Sequence, residues 1–272
     1  MQGDPTVRLR DVLMSLPRGA IAVSGGVDSM TLSSYAHSLL GFDSVRMVHA
    51  VSPAVPRAAT ERVRAFAGRE GWNLTEVDAG EFGDPRYRAN PVDRCFFCKS
   101  HLYETLSGLC KGLVLSGTNC DDLGDYRPGL KAAANNAVRH PYVEAGMTKD
   151  DVRHLARQLG LADLAELPAS PCLSSRVETG IPIEAARLSL IDAVETWLRT
   201  SLRPKVVRCR LRHTGIVIEL DRETLDGLTA AQRSSIIEDA TAYIPETELL
   251  DVSLAIYRQG SAFIGARMSP AE

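Results

Sequence analysis

A short apolar stretch, Gly19 to Val23, runs directly into Ser24-Gly25-Gly26-Val27-Asp28-Ser29 and then into a helix-compatible segment from about Met30 to Leu40. A buried parallel strand reads as such an apolar run, and strand–loop–helix units build doubly wound α/β domains. The two glycines let the backbone turn sharply and approach a ligand with no Cβ in the way. The helix that follows offers unpaired N–H groups and a positive dipole end to an anion, and two serine hydroxyls add donors. The loop lacks the Gly-Lys-Ser/Thr ending of a Walker loop, so γ-phosphate transfer is not the chemistry it points to. Asp28 would repel phosphate unless a metal ion bridges the two. The glycines alone are compatible with a plain turn; the whole hexapeptide in this context favours nucleotide binding.

The alternation continues along the first half. Val45 to Val51 reads as a second strand, Ala58 to Gly71 as a helix ended by its glycine, and Trp72 to Val77 as a third strand. Cys95 to Cys110 looks helical and Leu113 to Ser116 reads as a fourth strand. Thr148 caps a helix reaching Leu159, with Asp151 three residues on and Gly160 as the stop. The expected fold is therefore α/β, a doubly wound parallel sheet over residues 1–180. A smaller α+β domain is expected over residues 181–272, beyond a Pro-, Ser- and Gly-rich junction near LPASPCLSSRVETGIPI. In that second part, Leu190, Ile191, Val194, Trp197 and Leu198 form a helical stripe, and Val206 to Leu220 alternates as strands around His213-Thr214-Gly215. Leu225 to Ala242 is a further helix and Val252 to Tyr257 a last strand.

Bulk properties exclude several function classes. The 272-residue chain carries a formal net charge of −3, which disfavours generic binding of long nucleic acid. No apolar run approaches the ~18 residues of a membrane span, and the N-terminal residues do not read as a secretory signal. The six cysteines are then expected to be reduced, catalytic or metal-binding, and the expected compartment is the cytoplasm.

Ser24 to Ser29 resembles the PP-loop of the ATP pyrophosphatases, the adenine nucleotide alpha hydrolase-like class that includes GMP synthetase and the tRNA thiolases. That resemblance implies cleavage of ATP between the α- and β-phosphates, adenylation of a substrate oxygen, and Mg²⁺. Further stretches narrow it: Asn90-Pro91, Arg94-Cys95-Phe96-Phe97-Cys98-Lys99, Gly117-Thr118-Asn119-Cys120-Asp121-Asp122, Asp125-Tyr126-Arg127-Pro128-Gly129, and Pro168 to Arg176. In this order they resemble the LarE family of ATP-dependent sulfur transferases, which help to build the nickel-pincer cofactor of lactate racemase. Asn135 and Leu164 stand where that family usually has a glutamate and a tryptophan.

The resemblance implies a nucleotide site made of Ser24, Gly25, Gly26, Val27, Asp28, Ser29, His49, Ala50, Gly117, Asp122 and Arg127. His49 and the acidic turn also fit plainer roles, an interior histidine and a solvated loop. The resemblance makes Cys172 the expected sulfur carrier, and Arg176 close behind it would increase its thiolate fraction. The family carries sulfur either on a cysteine that becomes dehydroalanine or on a 4Fe–4S cluster held by three cysteines. The Cys95-x-x-Cys98 pair beside Cys172 favours the cluster. A zinc site, a redox dithiol and two buried core cysteines are the rival readings of that pair. Arg208, Arg210 and Arg212 share one strand face, and the first two are the expected partners, with Arg176, of an anionic small-molecule acceptor; a solvated face paired with acidic neighbours such as Glu219 is the plainer reading. A homo-oligomer is expected. The alternatives are a tRNA thiolase and an AMP-binding regulatory module without turnover.

Overall fold

The computed structural model describes residues 3–110, 112–124, 128–245, 250–258 and 260–262. The chain divides into two compact units, Met1–Asp84 with Asp93–Ser170, and Pro85–Val92 with Pro171–Glu272.

The first unit is built on four strands, β1 (Gly19–Ala22), β2 (Val45–Ala50), β3 (Leu74–Val77) and β4 (Leu113–Leu115). They lie in the order β3-β2-β1-β4, and every pairing is parallel. Both faces are covered, so successive residues of one strand enter different cores. Ile21, Met47 and Leu115 face a cluster with Leu9 and Leu13 of α1 (Pro5–Met14) and Met30 and Leu32 of α2 (Val27–Leu40). Ala20, Val48 and Val114 face a second cluster with Leu102, Tyr103 and Leu106 of the helix Arg94–Leu109. The doubly wound parallel sheet expected from the alternating pattern is thus present. The strand order reverses between β1 and β4, and in such sheets ligands bind outside the carboxyl ends of the strands at that point. The next helix, α3 (Arg57–Glu70), ends at Gly71, whose φ of 68° gives the left-handed cap its glycine predicted. The helix Lys149–Gln158 has the expected capping box between Thr148 and Asp151.

The second unit holds a three-stranded sheet, β5 (Val207–Arg212), β6 (Gly215–Leu220) and β7 (Val252–Ile256), in the order β5-β6-β7. The first pair is an antiparallel hairpin turning at His213-Thr214, and β7 runs parallel to β6. The helix Ala185–Leu202 buries Leu188, Ile191, Val194, Glu195 and Leu198. Residues Pro85–Val92 belong to this unit through Asn90, which is fully buried. The Asn90 side-chain amide donates to the carbonyls of Glu178 and Ile181, each at 2.8 Å, and the Gly180 N–H donates to the Asn90 carbonyl. Among the described residues no helix is long and apolar enough to cross a membrane.

Candidate functional site

The loop Ser24–Ser29 leaves the carboxyl end of β1 and enters α2 at Val27. It is braced from within. The Ser24 N–H donates to Ser29 Oγ at 3.0 Å, the two serine hydroxyls are 3.0 Å apart, and the Gly26 N–H reaches Ser24 Oγ. Gly25 has φ 80°, and a Cβ there would lie 2.7 Å from the Ala59 carbonyl oxygen. Both its conformation and its closeness to α3 therefore demand glycine. Arg62, also on α3, donates from Nη1 to the Gly25 carbonyl at 2.6 Å.

Gly117 follows β4, on the other side of the point where the strand order reverses. A Cβ at Gly117 would lie 2.8 Å from the Ser29 nitrogen and 2.9 Å from the Asp28 carbonyl carbon. The backbone after β4 thus touches the first turn of α2, and any side chain would push that turn away. Asn119 then reaches Asp28, its Nδ2 donating to Oδ1 at 3.2 Å. The other Asp28 carboxylate oxygen accepts from Lys149 Nζ, and the Asp28 carbonyl accepts from the Tyr142 hydroxyl at 3.1 Å. Asp121 accepts from the Lys149 N–H at 2.8 Å, and Asp122 from the Asn119 N–H at 3.2 Å. The expected loop residues, Gly117 and Asp122 are therefore tied together within one unit. Arg127 lies outside the described residues.

This donor set suits a hard divalent cation. Mg²⁺ is commonly bound by one or two carboxylates plus substrate phosphates and waters, and Asp28 presents a part-exposed carboxylate beside the asparagine Asn119.

His49 sits at the end of β2, 1% exposed, with both ring nitrogens occupied. Nδ1 lies 2.8 Å from the Val23 carbonyl oxygen and Nε2 2.9 Å from Thr60 Oγ1. A neutral ring that donates through Nδ1 and accepts through Nε2 satisfies both. Its imidazole fastens the end of β1 to α3, while Ala50 ends the strand beside it. Burial lowers the His49 pKa below its ordinary 6.5, and burial does the same to His140, whose Nδ1 is 2.7 Å from Ser116 Oγ. The unfolded chain therefore takes up protons near pH 6.5 that the folded chain refuses, so stability falls as pH drops below that value. Thermal unfolding of the first unit is expected to move to lower temperature between about pH 6.5 and 5, and His49→Gln should flatten that slope.

In the second unit, Cys172 is exposed and begins a tight turn, Leu173–Arg176. Arg176 is 0% exposed. Its Nη1 donates to the carbonyls of Pro171 at 2.6 Å and Cys172 at 3.0 Å, and to Ser175 Oγ. Its other edge forms a two-pronged pair with Glu195, also 0% exposed, at 2.9 and 3.1 Å. Burial favours the neutral form of both groups, but mutual attraction outweighs it and holds both charged. Arg176 therefore moulds the turn that carries Cys172, with its donors committed to protein atoms.

Arg208 and Arg210 are both buried on β5. Arg210 pairs with Glu219 at 2.9 Å and donates to the Ser175 carbonyl, so it too braces the turn. The pKa of Arg208 is lowered to about 10, first by burial and then by the positive charge of Arg176, which Glu195 does not fully offset. It also lies 5.7 Å from the centre of the Tyr257 ring.

Cys95 and Cys98 occupy the first turn of the helix Arg94–Leu109 as half-buried cysteines outside any disulfide, at a spacing that puts both on one helix face. They belong to the first unit and Cys172 to the second. Among the described residues no group of three or more His, Cys, Asp or Glu is placed to hold a metal ion.

The sequence pattern gave Asn119 only as part of the Gly117–Asp122 stretch, with no role of its own, and did not single out Lys149, Arg62 or Glu195. Lysine in the first turn of a helix opposes the macrodipole, which marks Lys149 as held there for another reason. An acid within an apolar helical stripe marks Glu195. Nothing in the pattern of α3 marks Arg62.

No family model matches the chain. It is 39% identical over 221 residues to an uncharacterized protein of Synechocystis, covering 80% of this chain and 81% of that one. It is 32% identical over 212 residues to the pyridinium-3,5-bisthiocarboxylic acid mononucleotide synthase of Lactiplantibacillus plantarum, covering 76% of each. A glutamine-hydrolyzing GMP synthase component from Methanocaldococcus jannaschii is 28% identical over 162 residues, covering 54% of this chain and 51% of the relative. With a parallel sheet, a braced PP-loop at its reversal point and a relative of 32% identity over three quarters of both chains, the chain belongs to the LarE-like family of PP-loop ATP pyrophosphatases.

Proposed function

We propose that this protein is an ATP-dependent sulfur transferase that adenylates a small phosphorylated carboxylic acid, releases pyrophosphate and converts the carboxylate to a thiocarboxylate. The observation that carries the reading is the PP-loop, braced through its two serines and backed by Gly117, with no lysine of its own. A carboxylate oxygen of the acceptor attacks the α-phosphorus, the bond to the bridging oxygen of pyrophosphate breaks, and an acyl adenylate forms. Mg²⁺, when bound, neutralises charge on the phosphates, and Asp28 with Asn119 is the place proposed for it. Arg208 is the proposed partner of the acceptor's anionic group, because burial and the charge of Arg176 both disfavour its cation, which an anion beside it would stabilise. The Lactiplantibacillus relative is named for a pyridinium mononucleotide bearing two thiocarboxylic acids, so the corresponding biscarboxylic acid is the acceptor of first choice.

Cys172 is the proposed sulfur donor. Its sulfur attacks the activated carbonyl carbon, AMP leaves, and loss of the Cα proton with cleavage of Cβ–Sγ gives the thiocarboxylate and dehydroalanine. The second reading is a 4Fe–4S cluster on Cys95, Cys98 and Cys172, favoured by the thiol pair sharing one turn. Such a cluster, when bound, would supply a sulfide on the iron that the protein leaves open.

The test of the ATP chemistry is product analysis. With Mg²⁺ and the pyridinium biscarboxylic acid mononucleotide, pyrophosphate and AMP are expected, and ADP with inorganic phosphate would overturn the reading. Asp28→Ala should lower turnover by roughly a hundredfold or more with little change in thermal unfolding.

A further inference from the structure

The PP-loop as folded presents backbone N–H groups, two hydroxyls and one carboxylate, and no cation of its own. A multiply charged leaving group held in partly desolvated surroundings by dipoles alone, with Asp28 beside it, would be poorly compensated. Among the described residues, Arg62 and Lys149 reach this loop from other elements. Arg62 comes from α3, half-buried, with its Nη1 fixed by the Gly25 carbonyl at 2.6 Å. Among the described residues no carboxylate pairs with it. Arginines taken partly out of water usually gain a carboxylate or phosphate partner, and burial lowers the pKa of this one. Lys149 comes from the first turn of the helix Lys149–Gln158, where the dipole repels it. Its ammonium sits on Asp28, in the position that the proposed reaction assigns to the metal.

We propose that Arg62 and Lys149 complete the pyrophosphate-binding surface of this loop. Arg62 is the standing cation, held toward the loop by a carbonyl that leaves its other nitrogens available to phosphate oxygens. Lys149 is the exchangeable one. It neutralises Asp28 in the nucleotide-free protein, and a divalent ion taking that carboxylate repels the ammonium and frees it to turn to the phosphates. Its backbone, held by Asp121, keeps the side chain within reach of the loop throughout. The inference rests on the reading of Ser24–Ser29 as a pyrophosphate site.

Calorimetric titration of the full chain with inorganic pyrophosphate and Mg²⁺ tests it. Arg62→Gln and Lys149→Met should each weaken pyrophosphate binding roughly ten- to a hundredfold and leave AMP binding within about twofold. Lys149→Met should also bind Mg²⁺ more tightly in the absence of pyrophosphate, because Asp28 loses its competing ammonium, a change that a merely structural lysine would not produce. Wild-type protein supplies a measurement that needs no variant. Mg²⁺-pyrophosphate should protect Arg62 from phenylglyoxal and Lys149 from acetic anhydride, read by peptide mass spectrometry. Unchanged pyrophosphate affinity in both variants, or modification of both residues at the same rate with and without pyrophosphate, would overturn the assignment. Wild-type protein that binds neither ATP nor pyrophosphate would instead overturn the PP-loop reading itself.

Discussion

Cys172→Ala is expected to abolish sulfur transfer, by roughly a thousandfold or more, while pyrophosphate release with ATP and acceptor falls less than about tenfold. The asymmetry follows from where the chemistry divides. In the proposed reaction, adenylation uses the loop, Asp28 and an acceptor oxygen, and none of these contains sulfur. Thiolation, as proposed, draws on the exposed thiol at the head of the turn Leu173–Arg176. The measurement is a pair of assays on one sample: pyrophosphate by coupled enzymes, and thiocarboxylate by mass spectrometry. Equal loss of both products would mean that Cys172 serves the adenylation step or the fold instead. The same experiment separates the two routes of sulfur supply. Intact mass after turnover should show the wild-type chain lighter by one H₂S, with Cys172 as dehydroalanine. Anaerobic reconstitution with iron and sulfide that gives cluster absorption, multiple turnovers and an unchanged protein mass would establish the cluster on Cys95, Cys98 and Cys172.

The second large effect is on stability. Glu195→Ala should cost about 3–5 kcal/mol, because it leaves the guanidinium of Arg176 buried without its counter-charge. The same carboxylate also accepts from the Cys209 N–H at 3.1 Å and from Arg199. One deletion therefore leaves several buried donors short of a partner. Arg199→Ala removes a partner whose side chain is 40% exposed, and should cost no more than ~1 kcal/mol. Urea unfolding followed by the fluorescence of Trp197, which lies on the same helix, in a Trp72→Phe background would measure both. Similar small losses in the two variants would show that water enters and offsets the desolvation of Arg176.

Much of the first unit was legible in the chain itself. Apolar strands of fixed direction, capped helices and the glycine-rich hexapeptide all carry local signals, and their boundaries fall within a few residues of the observed elements. Val27–Leu40, Arg57–Glu70 and Lys149–Gln158 are examples. The loop was legible for the same reason: a positive φ at Gly25 is a local demand that glycine meets. The tertiary partners were not. Lys149 reaches Asp28 across 121 residues, and Asn119 reaches it across 91, so no sequence window contains either pair. Likewise, three arginines alternating on β5 announce a charged face, yet their pattern does not say which carboxylate serves which. Glu219, opposite Arg208 in the strand register, binds Arg210 and Arg212. Arg176 shows the same limit. Its place after Cys172 invites a role on the thiol, whereas its guanidinium is used on Glu195 and the carbonyls of the turn.

The segment Pro85–Val92 gives the chain an unusual connectivity, since it leaves the first unit, joins the second and returns. A cut at the obvious place, after Ser170, would not liberate a self-sufficient nucleotide-binding half. It would strand Asn90, whose amide is matched to carbonyls of Glu178 and Ile181, and Arg88, whose carbonyl accepts from the Ile183 N–H at 2.8 Å. Dissection of this protein into working halves therefore calls for two edits, the truncation and a short polar bridge from Asp84 to Asp93 in place of the departing loop.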